Sequence, residues 1–144
     1  MSMCCSVRKY AGFAVMLAWA LFFAVEARAN TVSVGCAGSA GVFDFATIND
    51  AVNFLAALGK NDHALIISGT CTEIVSLDDW DDLRLIGITG AAILAPADPA
   101  GHIGIIEIHN SKKMFVSGLR LHGNGTSGPN PMHVNESTLE VFQC

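Results

Sequence analysis

Positive charge is scarce in this chain. Of its 8 Lys and Arg and 13 Asp and Glu, Arg8, Lys9, Arg28 and Glu26 fall before Asn30, which leaves 5 bases, 12 acids and a net charge of −7 from there on. A surface of that sign repels phosphate backbones and anionic lipid, so nucleic acid is not an expected partner, and cations or neutral ligands are favoured. The usual catalytic signatures are missing as well. The glycine-rich stretch Gly35 to Gly41 lacks the spacing of a dinucleotide fingerprint, and no Walker lysine follows it. There is no Gly-x-Ser-x-Gly elbow, no His-Glu-x-x-His or His-x-His pair, and no Cys/His nucleophile arrangement. After residue 58 no helical pattern of any length recurs.

What the first residues do hold is an address. Arg8 and Lys9 form a positive start, Ala11 to Val25 is an apolar run of 15 residues, and Ala27-Arg-Ala29 is a small-x-small cleavage site. The run falls short of the roughly 20 residues that cross a bilayer. Residues 1–29 therefore read as a signal peptide, with a secreted or periplasmic destination and no stable membrane insertion after cleavage. Cys4 and Cys5 leave with it. Residues 30–144 read as one domain, with an N-terminal cap over 30–62 and coils over 63–144.

Cys36, Cys71 and Cys144 remain. Export permits a disulfide. Cys36 and Cys71 bracket the one helical segment, so a bridge between them would pin the cap; two free thiols are the alternative.

That helix is expected over Thr47 to Leu58. Thr47 can N-cap it, Asp50 suits its positive end, and Gly59 stops it. Ile48, Ala51, Val52, Leu55 and Ala56 form one apolar stripe. Phe43 and Phe45 are expected beneath it. Short β-branched runs follow: 31–34 before the helix, then 65–68, 73–77, 83–88, 92–94, 104–108, 114–121 bent at Gly118, 132–135 and 139–142, with a loop over 123–131. Two pairs repeat at one offset. Ile106-Glu-Ile108 returns as Met132-His-Val134, and Met114-Phe-Val116 as Leu139-Glu-Val141. A pair of short strands that recurs after about 25 residues predicts stacked turns that bury their apolar residues only against each other.

The residues Phe45-Ala-Thr-Ile-Asn-Asp-Ala-Val52, Ile66-Ile-Ser-Gly-Thr-Cys-Thr-Glu-Ile-Val75, Leu83-Arg-Leu-Ile-Gly87 with Ala92-Ile-Leu94, and Met114-Phe-Val-Ser-Gly-Leu-Arg-Leu-His-Gly123 carry a resemblance. Over roughly 43–142 the chain resembles the N-terminal part of the secreted pectate-lyase-like superfamily. The resemblance implies an all-β solenoid: a right-handed, single-stranded parallel β-helix of about three to four turns with an N-terminal capping helix. Its inward residues would be Val75, Leu77, Leu83, Leu85, Ile93, Ile106, Ile108, Met114, Val116, Leu119, Leu121, Val134, Leu139 and Val141. Gly87 and Gly118 would sit at bends where a Cβ crowds the next turn. The chain stops on a strand, so a truncated piece of a longer β-helix is expected, with self-association through the open C-terminal coil.

The superfamily holds lyases, hydrolases, esterases and non-enzymatic surface proteins, so fold does not set activity. Asp78, Asp79, Asp81 and Asp82 are the metal candidates, because related enzymes bind calcium with aspartates. The spacing is not that of an EF-hand, and a solvated turn is the competing account. Trp80 among them would stack on a sugar or fold onto the coil. His63, His102, His109, His122 and His133 read as surface residues. Glu107 and Glu140 project from different half-turns and so make no acid pair. Arg84 and Arg120 should point outward. No catalytic or cofactor-binding residue is assigned. The expectation is a non-catalytic secreted module that contacts extracellular polymer, possible partners being polysaccharides; the alternative is the N-terminal portion of a carbohydrate-active enzyme.

Overall fold

The computed structural model describes residues 29–97, 101–123 and 130–142. Residues 1–28, on which the expected signal peptide falls, the core of the 123–131 loop and Cys144 lie outside the described residues.

Eleven strands and one helix form here: β1 (Asn30–Gly35), α1 (Ile48–Leu58), β2 (Asn61–Ser68), β3 (Thr70–Thr72), β4 (Val75–Asp78), β5 (Asp81–Gly87), β6 (Ala92–Leu94), β7 (Gly104–His109), β8 (Met114–Ser117), β9 (Arg120–His122), β10 (Asn130–Asn135) and β11 (Leu139–Phe142). They make three sheets, ordered β1-β2-β5-β8-β11, β10-β7-β4 and β3-β6-β9. We call these sheets 1, 2 and 3. All pairings between named strands are parallel. From β2 onward the chain visits sheet 1, sheet 3 and sheet 2 in rotation.

Met132 pairs with Ile106 and Leu139 with Met114, as the repeated pairs in the sequence require. The offset is not constant, however. His63 pairs with Leu83, 20 residues on, whereas Leu85 pairs with Val116, 31 residues on. The corner loops absorb the difference and leave strand register intact.

Several strands depart from the sequence expectation. The 73–77 strand begins only at Val75, and Thr70–Thr72 forms a separate strand in sheet 3. The 114–121 strand is not bent but broken: β8 and β9 belong to different sheets, with Gly118 at a φ of 66° between them. The segment 30–62 is more than a cap, because β1 joins sheet 1 through β2.

The core lies inside the three sheets. Leu65, Ile67, Val75, Leu77, Leu83, Leu85, Ile93, Ile105, Ile106, Ile108 and Val116 are fully enclosed. Each such Leu or Ile contributes about 1.5–3 kcal/mol relative to exposure. Val134 and Val141 were expected inside as well. They keep the inward register, opposite Ile108 and Val116, yet are 39% and 48% exposed, because among the described residues no further strand covers β10 or β11. Leu121 and Leu139 are partly buried for related reasons.

Helix α1 closes the other end, packed on β1, β2 and β4. Ile48, Ala51, Val52 and Leu55 are buried, the stripe expected of it. Thr47 has extended φ and ψ and its Oγ1 accepts from the Asp50 N–H, 3.1 Å away. Gly59, at a φ of 121°, ends the helix. Glu73 reaches in from the β3–β4 corner to accept from the N–H groups of Ile48 and Asn49, both at 2.9 Å. A disulfide joins Cys36 to Cys71 beside this contact. Phe45 meets the helix through Phe54, with ring centroids 5.3 Å apart. The Phe43 ring covers Gly35, where a Cβ would collide with it.

Candidate functional site

Two of the four aspartates of the 78–82 segment, Asp79 and Asp82, are explained by backbone geometry. Asp79, Asn110 and Glu136 occupy matching corners between sheets 2 and 1 and have φ values of 59°, 49° and 49°. Asp62, Asp82 and Lys113 form a second such row, at 52°, 71° and 50°. Asp and Asn tolerate this left-handed region better than most residues. The carboxylates then part: Asp81 meets Lys113 at 3.2 Å and Asp82 meets Arg84 at 3.4 Å. The ligating atoms that do converge among the described residues belong to Cys36, Cys71 and Glu73. Their sulfurs are bonded to each other and the Glu73 carboxylate to α1, so the group is a structural clamp.

Trp80 points inward and is 2% exposed, so it offers no sugar platform. Its backbone N–H donates to Ser111 Oγ at 3.1 Å, and the Ser111 backbone N–H donates to Ser137 Oγ at 2.9 Å. This hydroxyl row ties successive corners together, and neither serine was singled out from sequence.

One further expectation is corrected. His63 is buried rather than on the surface. Its Nδ1 accepts from the Asn30 N–H at 3.2 Å, so Nε2 carries the hydrogen that goes to Gly59 O at 2.7 Å. Glu107 and Glu140 stand on different sheets, as read, and Glu107 folds back over its own strand entry. It accepts from the N–H groups of Ile103, at 2.7 Å, and Gly104, at 3.1 Å, and pairs with His102 at 3.1 Å. Burial pushes its carboxyl upward, but the His102 hydrogen bond, the two backbone N–H groups and the His102 charge outweigh this and hold it below the ordinary value.

Two of the remaining residues, Arg84 and Glu140, share sheet 1, whereas Arg120 and His122 lie on sheet 3 and His109 and His133 on sheet 2. The outer face of sheet 1 carries Arg84, Phe115 and Glu140 side by side on β5, β8 and β11, each in register with the next. Adjacent strands lie about 4.8 Å apart, so the row spans about 10 Å. Arg84 points outward, as does Arg120 on sheet 3. The Phe115 ring stacks on Phe142, with centroids 5.3 Å apart and planes at 28°. Asp82, Arg84, Ile86, Lys113, Phe115 and Glu140 help to line an open groove of about 720 Å³. Hydrogen-bond donors, acceptors and an aromatic surface thus share one concavity.

No family profile, curated protein or solved structure matches the chain. Among the described residues no helix is long and apolar enough to cross a membrane.

Proposed function

We propose that this chain is an exported, right-handed parallel β-helix module that contacts extracellular polysaccharide through the groove on sheet 1. The rotation of the chain through three parallel sheets supports the coil, and parallel crossovers are right-handed in about 98% of cases. The Cys36–Cys71 disulfide supports an oxidising destination for the 1–29 signal. A relationship to the pectate-lyase-like superfamily rests on the sequence motifs.

The single observation that carries the ligand reading is the row Arg84–Phe115–Glu140. A guanidinium donates to sugar oxygens, a carboxylate accepts from hydroxyls, and the Phe115 face takes the apolar side of a ring. Cations and anions alternate along the groove, and the net charge from Asn30 on is −7. The favoured polymer is therefore a neutral glycan, held without turnover. Affinity electrophoresis through gels containing neutral β-glucan or polygalacturonate tests this. Retardation by the neutral glycan, lost in Phe115→Ala and weakened in Arg84→Ala, is expected. Equal mobility in all gels, or retardation that survives both substitutions, overturns the reading. Release of oligosaccharides would replace binding with catalysis.

A further inference from the structure

We infer that the domain carries a built acceptor for the α-amino group that signal removal creates: the new N-terminus at Asn30 docks on the buried His63. The inference rests on the reading of residues 1–29 as a cleaved signal. Two independent boundaries coincide at this point. The small-x-small motif Ala27-Arg-Ala29 puts the cut before Asn30, and β1, the first paired strand, begins at Asn30. Asn30 is in direct register with His63 on β2. Its nitrogen lies 3.2 Å from His63 Nδ1.

The surroundings of His63 suit an amine. The residue is 4% exposed. Its Nε2–H is committed to the Gly59 carbonyl at 2.7 Å, so Nδ1 presents a lone pair that can only accept. Trp80 meets the imidazole edge-on, with ring centroids 6.2 Å apart. In the uncut chain a single amide N–H faces that lone pair. Hydrolysis of the Ala29–Asn30 bond by the peptidase of the export pathway consumes one water. It leaves a carboxylate on Ala29 and an ammonium on Asn30, because α-amino groups titrate at about 7.7–8.0. The bond to Nδ1 then becomes charge-assisted, roughly twice as strong as a neutral one. Ala29, Asn30, Asp62, His63 and Arg84 help to line an open cavity of about 120 Å³. Loss of Ala29 opens that cavity onto the amine and leaves room for water on its other N–H groups. Arg84 is paired with Asp82 at 3.4 Å. Among the described residues no hydrogen bond or ion pair engages the Asp62 side chain, so a carboxylate stands at the cavity wall to offset the new charge. The first residue of the mature chain is then a fastened end of sheet 1 and not a fraying one.

Secretion of the full chain followed by acetylation of its amines tests the site. The mature chain is treated near neutrality with an N-hydroxysuccinimide acetyl ester, both folded and in urea, and acetylation of Asn30 is followed by mass spectrometry. A chain that starts at Asn30 is expected, with its α-amine acetylated roughly tenfold more slowly when folded than when unfolded. His63→Ala should recover the unfolded rate. So should a chain that keeps Ala29 as its first residue, which moves the amine away from His63 without a change in the core. A mature chain that starts at Asn30 but reacts equally fast in both states, or one whose α-amine stays slow in either variant, overturns the docking site and leaves the signal reading in place. A mature chain that starts elsewhere overturns both.

Discussion

Gly87 and Gly118 meet backbone to backbone across β5 and the corner after β8: a Cβ on either one would fall inside the carbonyl oxygen of the other. Gly118 also holds a φ of 66°. Gly118→Ala therefore suffers both a clash and a strained backbone and should lose about 2–4 kcal/mol of stability. Gly87→Ala suffers the clash alone and should lose about 1–3 kcal/mol. Urea unfolding midpoints read both. A Gly118→Ala variant as stable as the parent would show that the two backbones do not approach.

The carboxylate of Glu73 satisfies two N–H groups that an α-helix leaves without partners at its start. Glu73→Ala should cost about 1–2 kcal/mol, and Thr47→Ala about 1 kcal/mol. Amide hydrogen exchange at Ile48 and Asn49 should accelerate in Glu73→Ala, and exchange unchanged from the parent would remove Glu73 from the cap.

The disulfide closes a sequence separation of 35 residues. Loop closure of that length corresponds to about 3–4 kcal/mol. The double variant Cys36→Ser, Cys71→Ser should unfold at correspondingly lower denaturant, and the parent should match it once reduced. A parent that is insensitive to reductant contradicts the bridge.

Glu107 gives stability a predictable pH dependence. Its folded pKa lies below its unfolded one, so its contribution is complete above an unfolded value of about 4.3 and fades as pH falls through the lower, folded value. The stability gap between the parent and Glu107→Gln should be widest near neutrality and narrow in acid below about pH 4.3. A gap that is constant with pH would place the Glu107 carboxylate in solvent.

Much of the strand order was legible because apolar residues recur at fixed positions. Ile106 and Ile108 announce Met132 and Val134, and Met114 and Val116 announce Leu139 and Val141, so register follows from side-chain alternation alone. The first strands were less legible. Asn61, Asp62 and His63 look like a polar loop, yet they extend β2, because His63 trades solvent for Asn30 and Gly59. The partners of Glu107 were hidden for the same kind of reason. Its partners are backbone groups three and four residues back, and composition does not reveal backbone donors. The groove was half legible: Arg84 and Glu140 were read as outward, but Phe115 and Phe142 looked like ordinary strand residues until their rings were brought together.

The sequence by itself determined the helix with its cap and stop, the alternation that makes the strands, and the net negative charge. These depend on local periodicity, backbone preference and charge count, which a linear chain carries. Only the tertiary structure decided which strands share a sheet, and that Trp80 and His63 turn inward while Arg84 and Phe115 share a groove. Those outcomes depend on corner loops that span 20 residues in one place and 31 in another, so side chains far apart in sequence become neighbours through packing and hydrogen bonding that no local pattern encodes.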